Sequence, residues 1–98
     1  MLLTETKIQL TPELEEKAKL LSIAGDTTRI RIFCFMFEHK EACVSDIAGA
    51  LDMSVAAVSH HLQLMKESGL FETERVGQTI CYSLVNTTFT KQLKKMVC

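Results

Sequence analysis

The sequence holds little that breaks a helix: one proline and four glycines in 98 residues. So small a supply of turn-formers excludes a loop-rich fold and favours helices joined by short connections. Tryptophan is absent and tyrosine occurs once, so aliphatic side chains, methionine and phenylalanine must fill the core. No apolar run approaches the roughly 18 residues that span a bilayer. The opening stretch MLLTETKIQL carries Glu5 and lacks both a basic start and a long apolar segment, so it does not read as a signal peptide. The expectation is a cytoplasmic protein with no membrane partner. None of the four cysteines (Cys34, Cys43, Cys81 and Cys98) belongs to a CxxC, which argues against a zinc knuckle. In such a compartment a structural disulfide framework is not expected either, and each thiol reads first as a small buried hydrophobe.

Charge of one sign is lacking as well, the net value being −1. Its distribution is more informative. Residues 1–53 hold six Lys/Arg against nine Asp/Glu, a balance of −3, and residues 54–98 hold five against three, a balance of +2. A weakly basic second half can meet phosphates while the acidic first half limits non-specific binding.

Ninety-eight residues suffice for one modest core and are too few for two. The spacing predicts an N-terminal arm over residues 1–11 and a single domain over residues 12–98. Thr11-Pro12-Glu13 has the form of a helix start, with an N-cap, a proline in the first position and acids in the first turn. Leu14, Ala18 and Leu21 then recur at helical spacing until Gly25. Asp26 can cap a second helix running to about Glu38, with Ile30, Phe33, Cys34 and Phe37 on one face. A short third helix covers residues 44–51, with Ser45 as its expected cap, and Leu51-Asp52-Met53 interrupts it. Ser54 caps a fourth, in which Val55, Val58, Leu62 and Met65 recur. The period then changes to that of strands over residues 70–75 and 79–84, joined by Val76-Gly77-Gln78, which reads as a hairpin. Asn86 can cap a closing helix bearing Phe89, Leu93, Met96 and Val97.

A short helix, a tight turn, a longer helix and then a hairpin make a winged helix-turn-helix: mainly α with a small β-hairpin. Ala48 and Gly49 are small enough to let the two helices approach closely. The fourth helix presents Ser54, Val55, Ala56, Ser59, His60 and Gln63 near its N-terminal half. Such small or hydrogen-bonding side chains can reach base edges in the major groove. Arg75 and Gln78 at the hairpin tip suit phosphate or minor-groove contact. His61 lies on the same helix, and His39 falls in an expected loop. A helical corner used only for packing or protein contacts is the competing reading, and the hairpin that follows at once favours DNA.

The strings GDTTRIRIF and CVSDIAGALDMSVAAVSHHLQLMKESGLFETERVGQTICYSL resemble the ArsR/SmtB family of small prokaryotic metal- and redox-sensing repressors. The resemblance covers residues 12–98 and rests on D-x-x-R-[IL]-x-I, on V-S-H-x-L and on G-Q-x-x-x-Y-S-L. It implies a homodimer built from the first and last helices, with contacts from Leu14, Leu21, Phe89, Leu93 and Met96. It also implies two recognition helices reading an imperfect inverted repeat in double-stranded operator DNA.

The same resemblance separates three kinds of inducer site. ACVSDI is similar to the CVCDL string of metalloid and cadmium sensors, in which thiolates one residue apart share As(III), Cd(II) or Pb(II). Here Cys43 is present but Ser45 stands where its partner would be, so Cys43 is a soft-metal candidate only if another thiol joins it. The zinc-type site near the start of the last helix is missing, since Asn86 and Thr88 replace the Asp and His. The third kind is the dithiol switch of the sulfide-, persulfide- and redox-responsive branch (BigR, SqrR and HlyU-like members). R-I-R-I-F-C ending at Cys34 and L-K-K-M-V-C ending at Cys98 match its two strings, which implies Cys34 and Cys98 as sensor thiols and requires no cofactor. An enzyme is disfavoured, because no orienting group, glycine-rich loop or metal motif accompanies the Cys and His residues.

Overall fold

The computed structural model describes residues 7–98. Residues 1–6 of the expected arm lie outside the described residues. The element order is α1 (Pro12–Ala24), α2 (Thr27–His39), β1 (Glu41–Cys43), α3 (Val44–Leu51), α4 (Val55–Glu67), β2 (Phe71–Val76), β3 (Thr79–Leu84) and α5 (Thr88–Val97). The helices and the hairpin stand where the sequence places them, and β1 is an addition.

Local chemistry sets most boundaries. Thr11 caps α1 by accepting from the Leu14 amide at 3.1 Å, and Pro12, which has no N–H to leave unpaired, opens the helix. Asp26 caps α2 by accepting from the Arg29 amide at 3.1 Å. Two caps differ from expectation. The residue flanking α3 is Cys43, not Ser45, and Asp46 at N3 reaches back to accept from the Cys43 amide at 3.4 Å. The α5 cap is Thr87, not Asn86, because Thr87 and Thr90 satisfy one another: each hydroxyl accepts from the other's amide, at 2.9 and 3.1 Å. His39 is the last residue of α2 and not part of a loop.

A three-stranded antiparallel sheet in the order β1-β3-β2 closes one side. The β2–β3 hairpin turns through Gly77 and Gln78, with Val76 opposite Thr79. Gly77 takes φ +65°, the left-handed region a tight two-residue hairpin needs and which a side chain disfavours. On the other edge β1 pairs Glu41 with Ser83, Ala42 with Tyr82 and Cys43 with Cys81.

The core joins α2, α3, α4, the sheet and α5 through Ile32, Phe33, Ile47, Leu62, Phe71 and Leu93, among others. Phe33 is its aromatic centre, 5.5 Å from Phe37 and 5.7 Å from Phe71 between ring centroids. The buried stripe of α2 is rotated slightly from the expected one: Ile32, Phe33 and Met36 are fully covered, while Ile30, Cys34 and Phe37 are half-buried. The α1 helix buries only Ala24 fully; Leu14 and Leu21 on its apolar face stay 46% and 55% exposed. Gly49 does not serve close packing, since a Cβ built there would meet nothing within 4 Å; Ala48 is the buried small residue of the turn.

Thr90 is the one buried polar side chain among the described core residues. Its hydroxyl donates to the Val85 carbonyl at 3.0 Å as well as accepting from Thr87. Thr90→Val keeps the shape and strands both groups, which costs about 1–3 kcal/mol. For a chain of this size the melting temperature is expected to fall by roughly 4–20 °C, measurable by circular dichroism; an unchanged melting temperature would remove Thr90 from the supports of α5.

Candidate nucleic-acid interface and cysteine pairs

The α4 helix divides cleanly into two faces. Val58, Leu62 and Met65 are buried, which fixes the opposite face outward. Ser54, Val55, Ala56, His60 and Gln63 are exposed and Ser59 is half-buried. Val55, at 52% exposure, belongs to the outer face and not to the core stripe suggested by its spacing. The Ser54 hydroxyl accepts from the Ala57 amide at 3.1 Å and keeps its proton to donate. No acid occupies the first turn, so the positive end of the helix is left available to an anion. With a rise of about 1.5 Å per residue the helix is roughly 20 Å long, enough to lie along a major groove.

A hydrogen bond from Arg29, which the sequence marked only as part of a motif, adds to the outward setting of α4. Its Nε donates to Nδ1 of His61 at 3.2 Å and its Nη1 to the Ile23 carbonyl at 3.5 Å. His61 therefore points back toward α2, half-buried, and only His60 of the pair faces outward. The same Arg29 donates its amide to Asp26, and that hydrogen bond holds the Asp26 carboxyl below the usual carboxylate range.

The wing stands beyond α4. Arg75 and Gln78 are exposed near its tip. Strand alternation puts Arg75 on the pleat face of Phe71 and Thr73, and puts Glu72 and Glu74 on the other. The wing's acids are thus directed away from its one arginine.

The cysteines are paired and not free. Cys34 of α2 is bonded to Cys98, which caps α5, with Cα atoms 5.6 Å apart. Cys43 is bonded to Cys81, its direct cross-strand partner, with Cα atoms 3.8 Å apart. The first pair is the one the sequence strings pointed to. The second was missed, because Cys81 becomes Cys43's neighbour only through the β1–β3 register. In this state Cys43 has no thiolate to offer a metal. Among the described residues no group of three or more His, Cys, Asp or Glu could hold one. Nor, among the described residues, is any helix long and apolar enough to cross a membrane.

The apolar positions of α1 and α5 gather around one groove of about 630 Å³, lined by Leu20, Leu21, Phe89, Leu93 and Met96 together with polar residues of both helices. Met96 is 72% exposed, while Leu93 lies inside the subunit's own core.

Residues 26–73 match the family model for the bacterial regulatory protein, arsR family. A cadmium resistance transcriptional regulatory protein CadC homolog from Staphylococcus aureus is 36% identical over 67 residues, covering 68% of this chain and 55% of that protein. The chain thus spans little more than half the length of that relative. Among solved structures, the AntR antimony-specific transcriptional repressor superposes with a TM-score of 0.81 at 26% identity, over 98% of this chain and 86% of that one. HlyU from Vibrio cholerae N16961 gives 0.80 at 24% identity, over 89% and 94%, a likeness of fold. The first two descriptions are of transcriptional regulators, and none of the three is of an enzyme. By its matched segment and its architecture, the chain is similar to the winged helix-turn-helix regulators of the arsR family.

Proposed function

We propose that this chain is a transcriptional repressor that binds operator DNA as a homodimer and releases it when Cys34 and Cys98 are joined. The observation that carries the reading is the bond between Cys34 in α2, beside the helix-turn-helix core, and Cys98 at the end of α5, one of the two helices with uncovered apolar side chains. In the dimer, Leu14, Leu21 and Met96 meet their copies, and two α4 helices enter successive major grooves about 34 Å apart. Ser54, Val55, Ala56, Ser59, His60 and Gln63 meet base edges and phosphates there, and Arg75 and Gln78 follow the backbone from the wing. Joining Cys34 to Cys98 fixes α5 against α2 and so changes the angle at which the two recognition helices are presented. Persulfide or oxidant would drive that step, giving a bond directly between the sulfurs or through extra sulfur.

A soft-metal mechanism at Cys43 fits less well. Cys43 faces a single sulfur, that of Cys81, and Ser45 supplies no second thiolate, so the donor set stops at two.

The central experiment is operator binding with DNA from upstream of the chain's own gene. The dithiol form is expected to bind at least 10-fold more tightly than the form with Cys34 and Cys98 joined, measured by fluorescence anisotropy. Cys34→Ser and Cys98→Ser proteins are expected to bind equally before and after oxidation. A wild-type response in both would refute the switch.

The DNA contacts carry their own expectations. Ser59→Ala/His60→Ala should abolish specific binding while the circular dichroism spectrum and dimer mass stay unchanged; retained binding would favour a winged helix used for protein contacts. Arg75→Ala should weaken all sequences alike and reduce the slope of log K against log salt by about 1. For the dimer, Leu21→Glu/Met96→Glu is expected to shift sedimentation from two copies to one.

A further inference from the structure

A second groove, of about 770 Å³, opens beside the Cys34–Cys98 bond on the face of α5 turned away from Leu21 and Met96. Lys40 from the end of α2 and Lys91, Lys94 and Lys95 from α5 border it, together with Cys98. No Asp or Glu is among its lining residues. The floor is apolar, formed by Met36, Phe37 and Leu84, and the Lys94 ammonium lies over the Phe37 ring, 5.8 Å from its centroid. Cations in a last helical turn complement the helix dipole, which is reason enough for Lys94 and Lys95. It does not account for Lys91, a turn earlier, or for Lys40 on another element. Lys91 and Lys95, four residues apart on one helix, repel each other and slightly destabilise it. A concentration of positive charge around an apolar floor and a sulfur suits a small anion that carries sulfur itself.

We propose that this groove receives an anionic low-molecular-weight disulfide and that Cys98 is the thiol that attacks it. The proposal rests on the reading of Cys34 and Cys98 as the sensing pair and names their reaction partner. Cys98 is exposed, whereas Cys34 is half-buried, with its Sγ 3.6 Å from the Val97 carbonyl oxygen. Once the bond is reduced, that oxygen is a hydrogen-bond acceptor within reach of a Cys34 S–H. The thiolate is the nucleophile; the lysines that border the groove with Cys98 favour an anion there, against the carbonyl end of α5, which opposes it by about half a charge.

The exchange proceeds in two balanced steps. The Cys98 thiolate attacks one sulfur of R–S–S–R, forming Cys98–S–S–R and expelling RS⁻. Cys34 then loses its proton to the expelled RS⁻, giving RSH, and its thiolate attacks Cys98 Sγ, forming Cys34–S–S–Cys98 and releasing the second RS⁻, which takes a proton from water. Two protein thiols are oxidised and one small disulfide is reduced to two thiols.

The test uses the reduced protein carrying Cys43→Ala/Cys81→Ala, with the natural chain run in parallel, and follows closure of the Cys34–Cys98 bond by alkylation and mass spectrometry. Three probes differ in charge: glutathione disulfide (anionic), 2-hydroxyethyl disulfide (neutral) and cystamine (cationic), each corrected for its rate with a free model thiol. The corrected rates should fall in that order, with an anion-to-cation ratio on the order of 10 at low salt that collapses near 1 M salt. Lys91→Gln/Lys94→Gln/Lys95→Gln should bring the ratio close to one. Cys34→Ser should accumulate the glutathione adduct on Cys98, whereas Cys98→Ser should leave Cys34 largely unmodified. Rates independent of probe charge, a ratio that survives the lysine substitutions, or preferential modification of Cys34 would each overturn the proposal. Because the readout contains no DNA, charge selection with no effect on operator affinity would refute the repressor switch and leave the groove's role standing.

Discussion

The rotational setting of α4 within the core is held by one guanidinium. Arg29 reaches the last turn of α1 through the Ile23 carbonyl and α4 through His61, while its own amide is held by the Asp26 cap. Hydrophobic burial of Val58, Leu62 and Met65 seats α4 in the core but is non-directional; it would tolerate a modest roll of the helix. A hydrogen bond with a defined ring nitrogen does not. The cost of ordering a long arginine side chain therefore yields a fixed rotational setting for the outward residues on which any groove contact depends.

The two covalent links divide the molecule along the same lines as its surfaces. Cys34–Cys98 joins α2 to the helix whose partner α1 exposes apolar side chains. Cys43–Cys81 joins the strand leading into α3 to the wing. One bond bears on how two copies would be held, the other on how the reading helices sit against the hairpin within one copy. On the proposed reading, assembly and docking would be separated although both share a single small core.

Much of this was legible in the chain because helix starts are local events. Thr11 with Pro12, Asp26 and Ser54 announce their helices within four residues, and all three act as caps. Where two neighbours could serve, local chemistry was insufficient. Asn86 and Thr87 are both good caps, and the choice fell to Thr87 because Thr90 answers it from a buried position. Strand β1 is three residues long and owes its existence to Ser83, Tyr82 and Cys81, about 40 residues away. Cys81 was overlooked for the same reason, since its partner is assigned by register. His61, adjacent to a residue that faces outward, turns inward because of an arginine 32 positions earlier. Dithiol strings at Cys34 and Cys98 could be read because each is a short motif, and the structure needed only to bring their ends together.

The sequence separations of the two bonds, 64 and 38 residues, place one ring inside the other. The inner ring contains α3, α4 and the turn of the wing; the outer adds the rest of the chain beyond Cys34. Closing a loop of either length removes about 4 kcal/mol of entropy from the unfolded chain on the loop-entropy model, less for the second since its ends already lie within the first. Thiol state therefore bears on stability and, on the proposed switch, on affinity as well. With both rings closed the open chain is disfavoured and a protease would meet it less often, whereas the reduced molecule has no such restraint. A cell holding the reduced form would have a pool of regulator that turns over quickly, and oxidation would preserve those copies present at the time, leaving a record of exposure that outlasts the exposure itself.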